Sequence, residues 1–489
     1  MSAPGRPKRE FPLGGNGAQR PGGHMSATRR ILDAFSQPGG RRPLRLLGAS
    51  GQLGYGIPTP AFQAGLDRQP DLIGCDMGSI DIGPYYLGSG NMATARESTK
   101  RDLRKVLTAA RRLDIPLVIG SAGSAGAAPH LQQTLELVRE IAREQKLSFR
   151  LAWIPGDIPK DVVIEAIRAG GLTGIDGMPE LAEADVENCA NLVGQMGMTA
   201  FRRAFEAGVD VLIAGRACDT AIFSTLPVML GFPVGLSVHM AKIIECASIC
   251  CLPGGRDSIL ATLDDEGFTL ESMAPQRRAT PISVAAHSLY EQNDPYVIIE
   301  PEGRAELHNA RYEQVDERRT RVSGATWVEA AEQTIKIEGS TRVGERAVLL
   351  CGAADPRFIE RHEQILRDVS VVVRDLVCED AEEDYQLYWR VYGMNGVTDR
   401  QPGDAVPAEV FLLIECIAPT TARASEVMRT MKQYLLHFGY EGRLSTGGNL
   451  AFAFTPPEVS VGTAYKFGVY HIMRTARMDE LFPVTIEEL

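Results

Sequence analysis

Between residues 44 and 215 the chain repeats one rhythm: a short apolar run ending in a small or polar residue, then a stretch with helical periodicity. The apolar runs lie at 44–47, 72–75, 116–119, 149–154 and 209–213, with a weaker one at 172–175. Helical patterns fill about 95–113, 130–146, 160–169 and 196–207. Strands and helices that alternate at this spacing predict parallel βαβ units. The runs are apolar throughout, as expected for strands covered by helices on both faces. In such a sheet every strand-to-helix loop emerges at the carboxyl edge, where α/β folds bind ligands. In a barrel the same loops would share the top face.

The texture changes after about residue 255. Short strand-like pieces at 258–263, 269–272, 296–299 and 321–323 sit between Gly, Asp, Asn and Pro. A helix is predicted at about 356–376, strands at 385–392 and 410–417, a helix at about 420–438, and strands at 449–454 and 465–471. The fold class is therefore α/β: a largely parallel sheet with helices on both faces in the N-terminal half, then a β-rich region, then a small α+β domain of ferredoxin-like size. The expected organisation is a disordered extension over 1–40, an α/β core with a β-rich second half over 41–375, and the α+β domain over 380–489.

Bulk properties exclude several function classes. The net charge of −11 over 489 residues argues against a nucleic-acid partner, which needs a basic face. Nine cysteines, an odd number with no C-x-x-C pair, fit a reduced cytoplasmic protein. The first thirty residues are rich in Gly, Pro and Arg and have no apolar core, so they are not a secretory signal. The stretch 226–240 carries no charge, but Pro227, Gly231, Pro233 and Gly235 break it, and it is too short to span a bilayer. It is expected to be buried core or a subunit contact, which makes a homo-oligomer the expected assembly.

The loop after the first run reads GASGQLGYG, residues 48–56. Gly48, Gly51 and Gly54 have the spacing of a dinucleotide fingerprint, and Asp76 stands 22 residues after Gly54. Two features oppose NAD(P) binding. Pro58 and Pro60 would fall inside the helix that must meet the pyrophosphate, at about 3 kcal/mol each. None of the thirteen tyrosines has a Lys four residues on. The loop is read instead as one that lets a ligand approach the backbone, with Ser50 and Gln52 as substrate contacts.

The other strand ends supply the remaining candidates. In GSAGSAG, residues 120–126, Ser121, Gly123 and Ser124 are read as an anion cradle, or else as a tight βα turn. Arg216, directly after an apolar strand, is read as the grip on a substrate anion, or else as the partner of Asp219. Asp76 and Asp81, flanking Gly78 and Ser79, suit acid–base work or a divalent cation, or else Asx-turn capping. His239, Lys242 and Glu245 recur every three residues in VHMAKIIEC. The catalytic assignment is Asp76, Asp219, His239 and Lys242. His287 and Asn293 in AHSLYEQNDPY are weaker candidates. No zinc spacing, G-x-S-x-G elbow or G-x-x-x-x-G-K-[ST] loop occurs.

These stretches resemble the acyclic terpene utilization (AtuA-like) family. The similarity is carried by LLGASGQLGYG, GCDMGSIDIGPYYLGSG, PLVIGSAGSAGAAPHL, DVLIAGRACDTAIF and AHSLYEQNDPY, over roughly residues 44–375, and the tail with STGGNLAFAFTPPEV looks like the part that follows this core in relatives. The resemblance implies catabolism of acyclic terpenoids through branched acyl-CoA intermediates. It supports the strand-end region as a site without assigning a role to any one side chain. The expected function is lyase, hydratase or isomerase chemistry on a small carboxylic acid or acyl-CoA, with a divalent metal compatible. A non-catalytic acyl-CoA-binding or assembly subunit is the alternative, and an NAD(P)-dependent oxidoreductase comes third.

Overall fold

The computed structural model describes residues 25–175, 177–378, 384–398, 406–475 and 477–489. Seven strands precede residue 215: β1 Leu44–Gly48, β2 Leu72–Asp76, β3 Leu117–Gly120, β4 Arg150–Ile154, β5 Leu172–Gly174, β6 Cys189–Gly194 and β7 Val211–Ala214. Five of them pair in parallel in the order β1-β2-β3-β7-β4. Successive side chains point to opposite faces, and each face is buried. Leu46, Leu72, Val118, Ala152 and Leu212 join one core with the helices Met198–Glu206, Asp219–Met229 and Val234–Ile244. Leu47, Ile73, Ile119, Leu151 and Ile213 join the other with Thr59–Asp67, Arg96–Leu113 and Ala128–Gln145. Coverage on both faces is why these strands read as unbroken apolar runs.

The parallel array is extended by antiparallel strands. β8 Ile259–Leu263 and β9 Gly267–Ser272 continue from β1. β10 Val297–Glu300, β11 Gly303–Glu306, β12 Arg311–Gln314, β13 Arg319–Ser323 and β14 Thr326–Glu329 follow in the chain. Of these, β13 and β12 complete one edge of what becomes a ten-stranded sheet, while β10, β11 and β14 form a small sheet of their own.

A third sheet begins with β15, Thr334–Ala353, followed by the helix Pro356–Val377, β16 Gln386–Tyr392, β17 Val410–Ala418, the helix Thr421–His437 and β18 Glu458–Arg474. The antiparallel order β16-β17-β15-β18 and the βαββαβ connectivity are those of a ferredoxin-like unit. This sheet draws on both sides of residues 375–380, and β5 and β6 from the N-terminal half pair with β18 and β15. The last strand, β19 Thr485–Glu488, returns to pair with β4.

Sequence expectation and structure differ in both terminal regions. Residues 27–36, inside the segment expected as a disordered extension, form the helix Ala27–Ser36, capped by Ser26. Ala27 and Thr28 are buried, and their amides bond to Asp210 Oδ1 and the Val209 carbonyl. The rest of that extension, 1–24, lies outside the described residues. Residues 449–454 contribute only an isolated bridge, Gly352 to Ala451, in place of a strand. The stretch 226–240 matches the buried-core expectation: it is divided between two helices whose residues Leu226, Leu236, Val238 and Met240 pack inside the chain's own core. No helix among the described residues is long and apolar enough to cross a membrane.

Candidate active site

Asp76 is the last residue of β2, and Arg216 follows β7 by two residues, so both stand at the carboxyl edge of the sheet. The helix Asp219–Met229 begins there, which puts Asp219 in its first turn, where the helix dipole favours a carboxylate. Gly51, Gln52 and Tyr55 arrive from the loop after β1. Opposite them stand Lys242 in the last turn of Val234–Ile244, Glu245 just beyond it, Glu291 from the AHSLYEQNDPY stretch, Glu300 at the end of β10 and Lys336 in β15. Together these groups line a cavity of about 630 Å³.

Carboxylates outnumber available cations in this cavity. Lys242 Nζ lies 2.6 Å from Glu245 Oε1 and 3.2 Å from Glu291 Oε2. One carboxylate oxygen from each of Asp219, Glu245 and Glu291 falls within 4.8 Å of the other two. Burial pushes the Asp76 carboxyl well above its ordinary range, and the Asp219 charge pushes the same way. Burial carries Asp219 up to about 6 against the pull of Arg216 and Lys242, and Glu245 up to about 8. Glu300, whose Oε1 accepts a 2.6 Å bond from the Thr220 hydroxyl, rises to about 7 for the same reason. Lys242 is raised as well: burial disfavours its charge, but Glu245 and Glu291 outweigh burial, so it stays an ammonium.

Of the residues assigned from sequence, Asp76, Asp219, Lys242, Gln52 and Arg216 line the cavity, as do Asp81 and Asn293. The others do not. His239 is fully buried, with Nε2 bonded to Ser288 Oγ at 3.1 Å and Tyr312 OH at 3.3 Å, and its ring sits edge-on to Phe268. Burial pushes it down to about 3, so it is a neutral core histidine. His287 stacks on Tyr290 outside the lining. Ser50 is buried and accepts the Gln52 amide.

The 120–126 loop supplies no lining residue of the cavity. The Ser121, Ala122 and Ser124 amides donate to the carbonyls of Gly215, Ala214 and Ser121. Ser124 Oγ donates to the Ser79 carbonyl, and a Cβ on Gly123, at φ +68°, would meet His130 Cβ at 2.7 Å. The turn reading of this loop is the one the contacts support, and its donors are not arranged to hold an anion. Arg216 is also paired differently from the expected Asp219 partner. Its Nε and Nη2 meet Glu338 Oε2 and Oε1 at 2.8 and 3.2 Å, and Nη1 donates to Ser121 Oγ at 3.3 Å. Within the chain its counter-ion is thus Glu338 of β15 rather than Asp219.

The glycine-rich loop after β1 does hold an anion, but one of the protein's own. Asp102, fully buried on the helix Arg96–Leu113, accepts the amides of Gly54, Gly56 and Ile57 at 3.1, 2.8 and 3.3 Å. The next helix starts at Thr59, with Pro58 as its N-cap and Pro60 in its first turn. These three amides of the loop are therefore engaged by Asp102.

Sequence reasoning left out Glu291, Glu300, Lys336 and Glu338 as site residues. Glu338 was the hardest to find, since it lies 122 residues from Arg216 on a strand that was not anticipated. For Glu291 a signal existed in the AHSLYEQNDPY stretch already singled out. The structure adds that Glu291 has φ +59°, a left-handed conformation that costs a non-glycine residue about 1–2 kcal/mol and recurs at functional sites.

No curated protein and no solved structure matches the chain. The family model of "Acyclic terpene utilisation family protein AtuA" matches residues 88–253 and 272–455, a span that begins later and ends later than the expected 44–375 and includes Arg216, Asp219, Lys242, Glu245 and Glu291. With the greater part of its length matched, the chain belongs to the acyclic terpene utilisation family.

Proposed function

We propose that this protein is a catabolic enzyme of acyclic terpene utilisation that moves a proton on a small carboxylic acid or branched acyl-CoA, the chemistry of a lyase, hydratase or isomerase. The observation that carries this reading is Asp76. It is a carboxylate only 8% exposed, placed at a strand end in a cavity large enough for a small acyl group. One oxygen accepts the Gly78 amide at 3.1 Å, which fixes the carboxyl plane. A module that only binds its ligand has no use for a buried carboxyl held above its ordinary pKa. A general base whose proton affinity is raised by burial does.

In this reading Asp76 takes the proton next to the substrate carbonyl. The Lys242 ammonium stabilises the negative charge that develops, as fixed charges do when they are oriented before the reaction begins. Asp219 contributes by keeping Asp76 protonatable. Arg256, exposed at the cavity mouth over the Tyr55 ring at 5.0 Å and without an acidic partner among the described residues, receives the anionic end of the substrate, whether carboxylate or CoA phosphate. Nicotinamide chemistry is disfavoured because Asp102 engages the amides of the glycine loop.

The test is deuterium wash-in. Branched acyl-CoAs and their free acids are incubated with the protein in D2O, and mass spectrometry reads exchange next to the carbonyl. The wild type should exchange, and Asp76→Asn should slow exchange by about a hundred-fold or more. A thioester that binds without exchanging would favour a non-catalytic acyl-CoA-binding subunit. Exchange that survives in Asp76→Asn would remove Asp76 from the mechanism.

A further inference from the structure

We infer that Asp219, Glu245 and Glu291 bind one divalent cation of the hard, oxygen-seeking class, Mg2+ or Mn2+, on the wall of the cavity. The three residues come from different places: the start of the helix Asp219–Met229, the end of Val234–Ile244, and the loop after Pro281–His287. Their nearest oxygens nevertheless converge within 4.8 Å. Like charges brought that close are repelled unless a cation or a proton joins them.

The cations nearby do not meet the need. Among the described residues Lys242 is the one ammonium bonded to this cluster, and it is shared between Glu245 Oε1 and Glu291 Oε2. Arg216 is committed to Glu338 through Nε and Nη2, and its Nη1 donates to Ser121 Oγ. One positive charge therefore faces three carboxyl groups.

A second observation points to an occupant. Glu245 is 2% exposed, and its Oε2 is buried without any hydrogen-bond partner among the described residues. Asp219 Oδ1 is in the same state. Buried acceptors of this kind are rare in folded proteins and mark places where an ion or water completes the structure. Both side chains line the cavity, so an occupant can enter from solvent.

The donor set selects the ion. Three carboxylates with no imidazole or thiolate among them suit Mg2+ or Mn2+ over zinc. Only three protein ligands stand on an open wall, which leaves positions for water and for a substrate oxygen. Mg2+ is usually held in that way, whereas Ca2+ takes six to eight oxygens from a more complete cage. Resting on the proton-transfer reading, this position beside Asp76 would let the cation draw charge from a substrate carbonyl while Asp76 holds the proton.

Binding is measured without substrate. Protein dialysed against EDTA is titrated with Mn2+, and electron paramagnetic resonance reads the free ion, with Mg2+ as competitor. The expected result is one Mn2+ per chain, displaced by Mg2+. Asp219→Asn should abolish binding, and Glu291→Gln should weaken it about ten-fold or more. Glu291 lies at the rim, so that variant keeps its fold even if Asp219→Asn does not. Glu300→Gln, a cavity carboxylate outside the cluster, should bind like the wild type. Absence of Mn2+ binding by the wild type would overturn the inference, as would equal affinity in the wild type and Glu291→Gln. Because no substrate is present, a failure of deuterium exchange leaves this result standing, and the converse holds as well.

Discussion

Two buried cations line the cavity, and they are balanced in opposite ways. Arg216 meets a single carboxylate, Glu338, through a two-pronged contact in which the side chains are 6% and 0% exposed. Burial alone would push the Glu338 carboxyl up, yet the Arg216 guanidinium holds it below its ordinary range, with Lys336 Nζ assisting from 3.3 Å. Lys242 faces three carboxyl groups, and among them burial wins: Asp219 and Glu245 rise. The first arrangement is closed, with each donor edge of the fork used. The second is open, with oxygens left over. A charge pair that is complete ties β7 to β15 and so joins the parallel sheet to the ferredoxin-like unit. A charge cluster that is incomplete has capacity left for a proton, a cation or a substrate.

The largest effect should come from opening the closed pair. Glu338→Ala leaves Arg216 buried with no matching charge, and loss of one partner from a buried pair costs about 3–5 kcal/mol. The expected outcome is a large fall in thermal midpoint, or failure to fold, measured by circular dichroism. A change under about 1 kcal/mol would mean that Arg216 finds a new partner, Asp76 or Asp219 being the charges that already act on it, and the contrast between the two regions would dissolve.

A second effect separates the two regions by pH. Glu300 stands on the open side, 7% exposed, with its carboxyl raised by burial from an ordinary 4.5 to about 7. A group whose folded value lies above its unfolded value supports the fold fully below the unfolded value, and loses that support as pH rises through the folded one. The wild type should therefore lose stability between about pH 4.5 and 7 on account of Glu300, by an amount on the order of 3 kcal/mol at most. Glu300→Gln removes this dependence. Its stability relative to wild type should rise from pH 5 to pH 7.5 and then level off, as read by urea denaturation at each pH. A flat difference across that window would show that Glu300 is not held protonated by burial.

Much of this molecule is legible in the sequence, and the legible parts share a physical basis. The parallel strands were placed to within a residue or two because burial on both faces leaves no polar interruption: 72–75 became β2, Leu72–Asp76, and 149–154 became β4, Arg150–Ile154. The carboxyl-edge argument then brings Asp76, Arg216 and Asp219 to one sheet edge, where they line one cavity, since that depends only on strand direction. β15 escaped because its apolar positions are interrupted by Lys336, Glu338, Arg342 and Glu345, which read as a polar loop until the partner strands are known. Glu338 is polar there because Arg216 needs it, and no local pattern encodes a contact 122 residues away. The glycine-rich loops are ambiguous for a related reason. Gly54 and Gly123 have positive φ for tight packing against Thr94 and His130, and a backbone shaped for packing has the same composition as one shaped for phosphate.

The smallest effect is the most discriminating. Glu291→Gln should change stability by no more than about 0.5 kcal/mol, because its bond to Lys242 is half exposed, and exposed ion pairs contribute about 0–1 kcal/mol. The side chain is 41% exposed, against 0% for Glu338, and Lys242 keeps its 2.6 Å contact with Glu245 when Glu291 is neutralised. Gln retains the shape of Glu and bears the same cost of the left-handed backbone at φ +59°, so the substitution removes charge alone. If the cluster is open, the loss of this charge leaves the fold intact and shows up in cation affinity. If instead Glu291→Gln lowers stability by about 2 kcal/mol or more, the Lys242 cluster is a structural brace like the Arg216–Glu338 pair. Measuring the unfolding free energy of both variants, Glu291→Gln and Glu338→Ala, under one set of conditions decides between these outcomes, since the expected ratio of their effects is far larger than the error of either measurement.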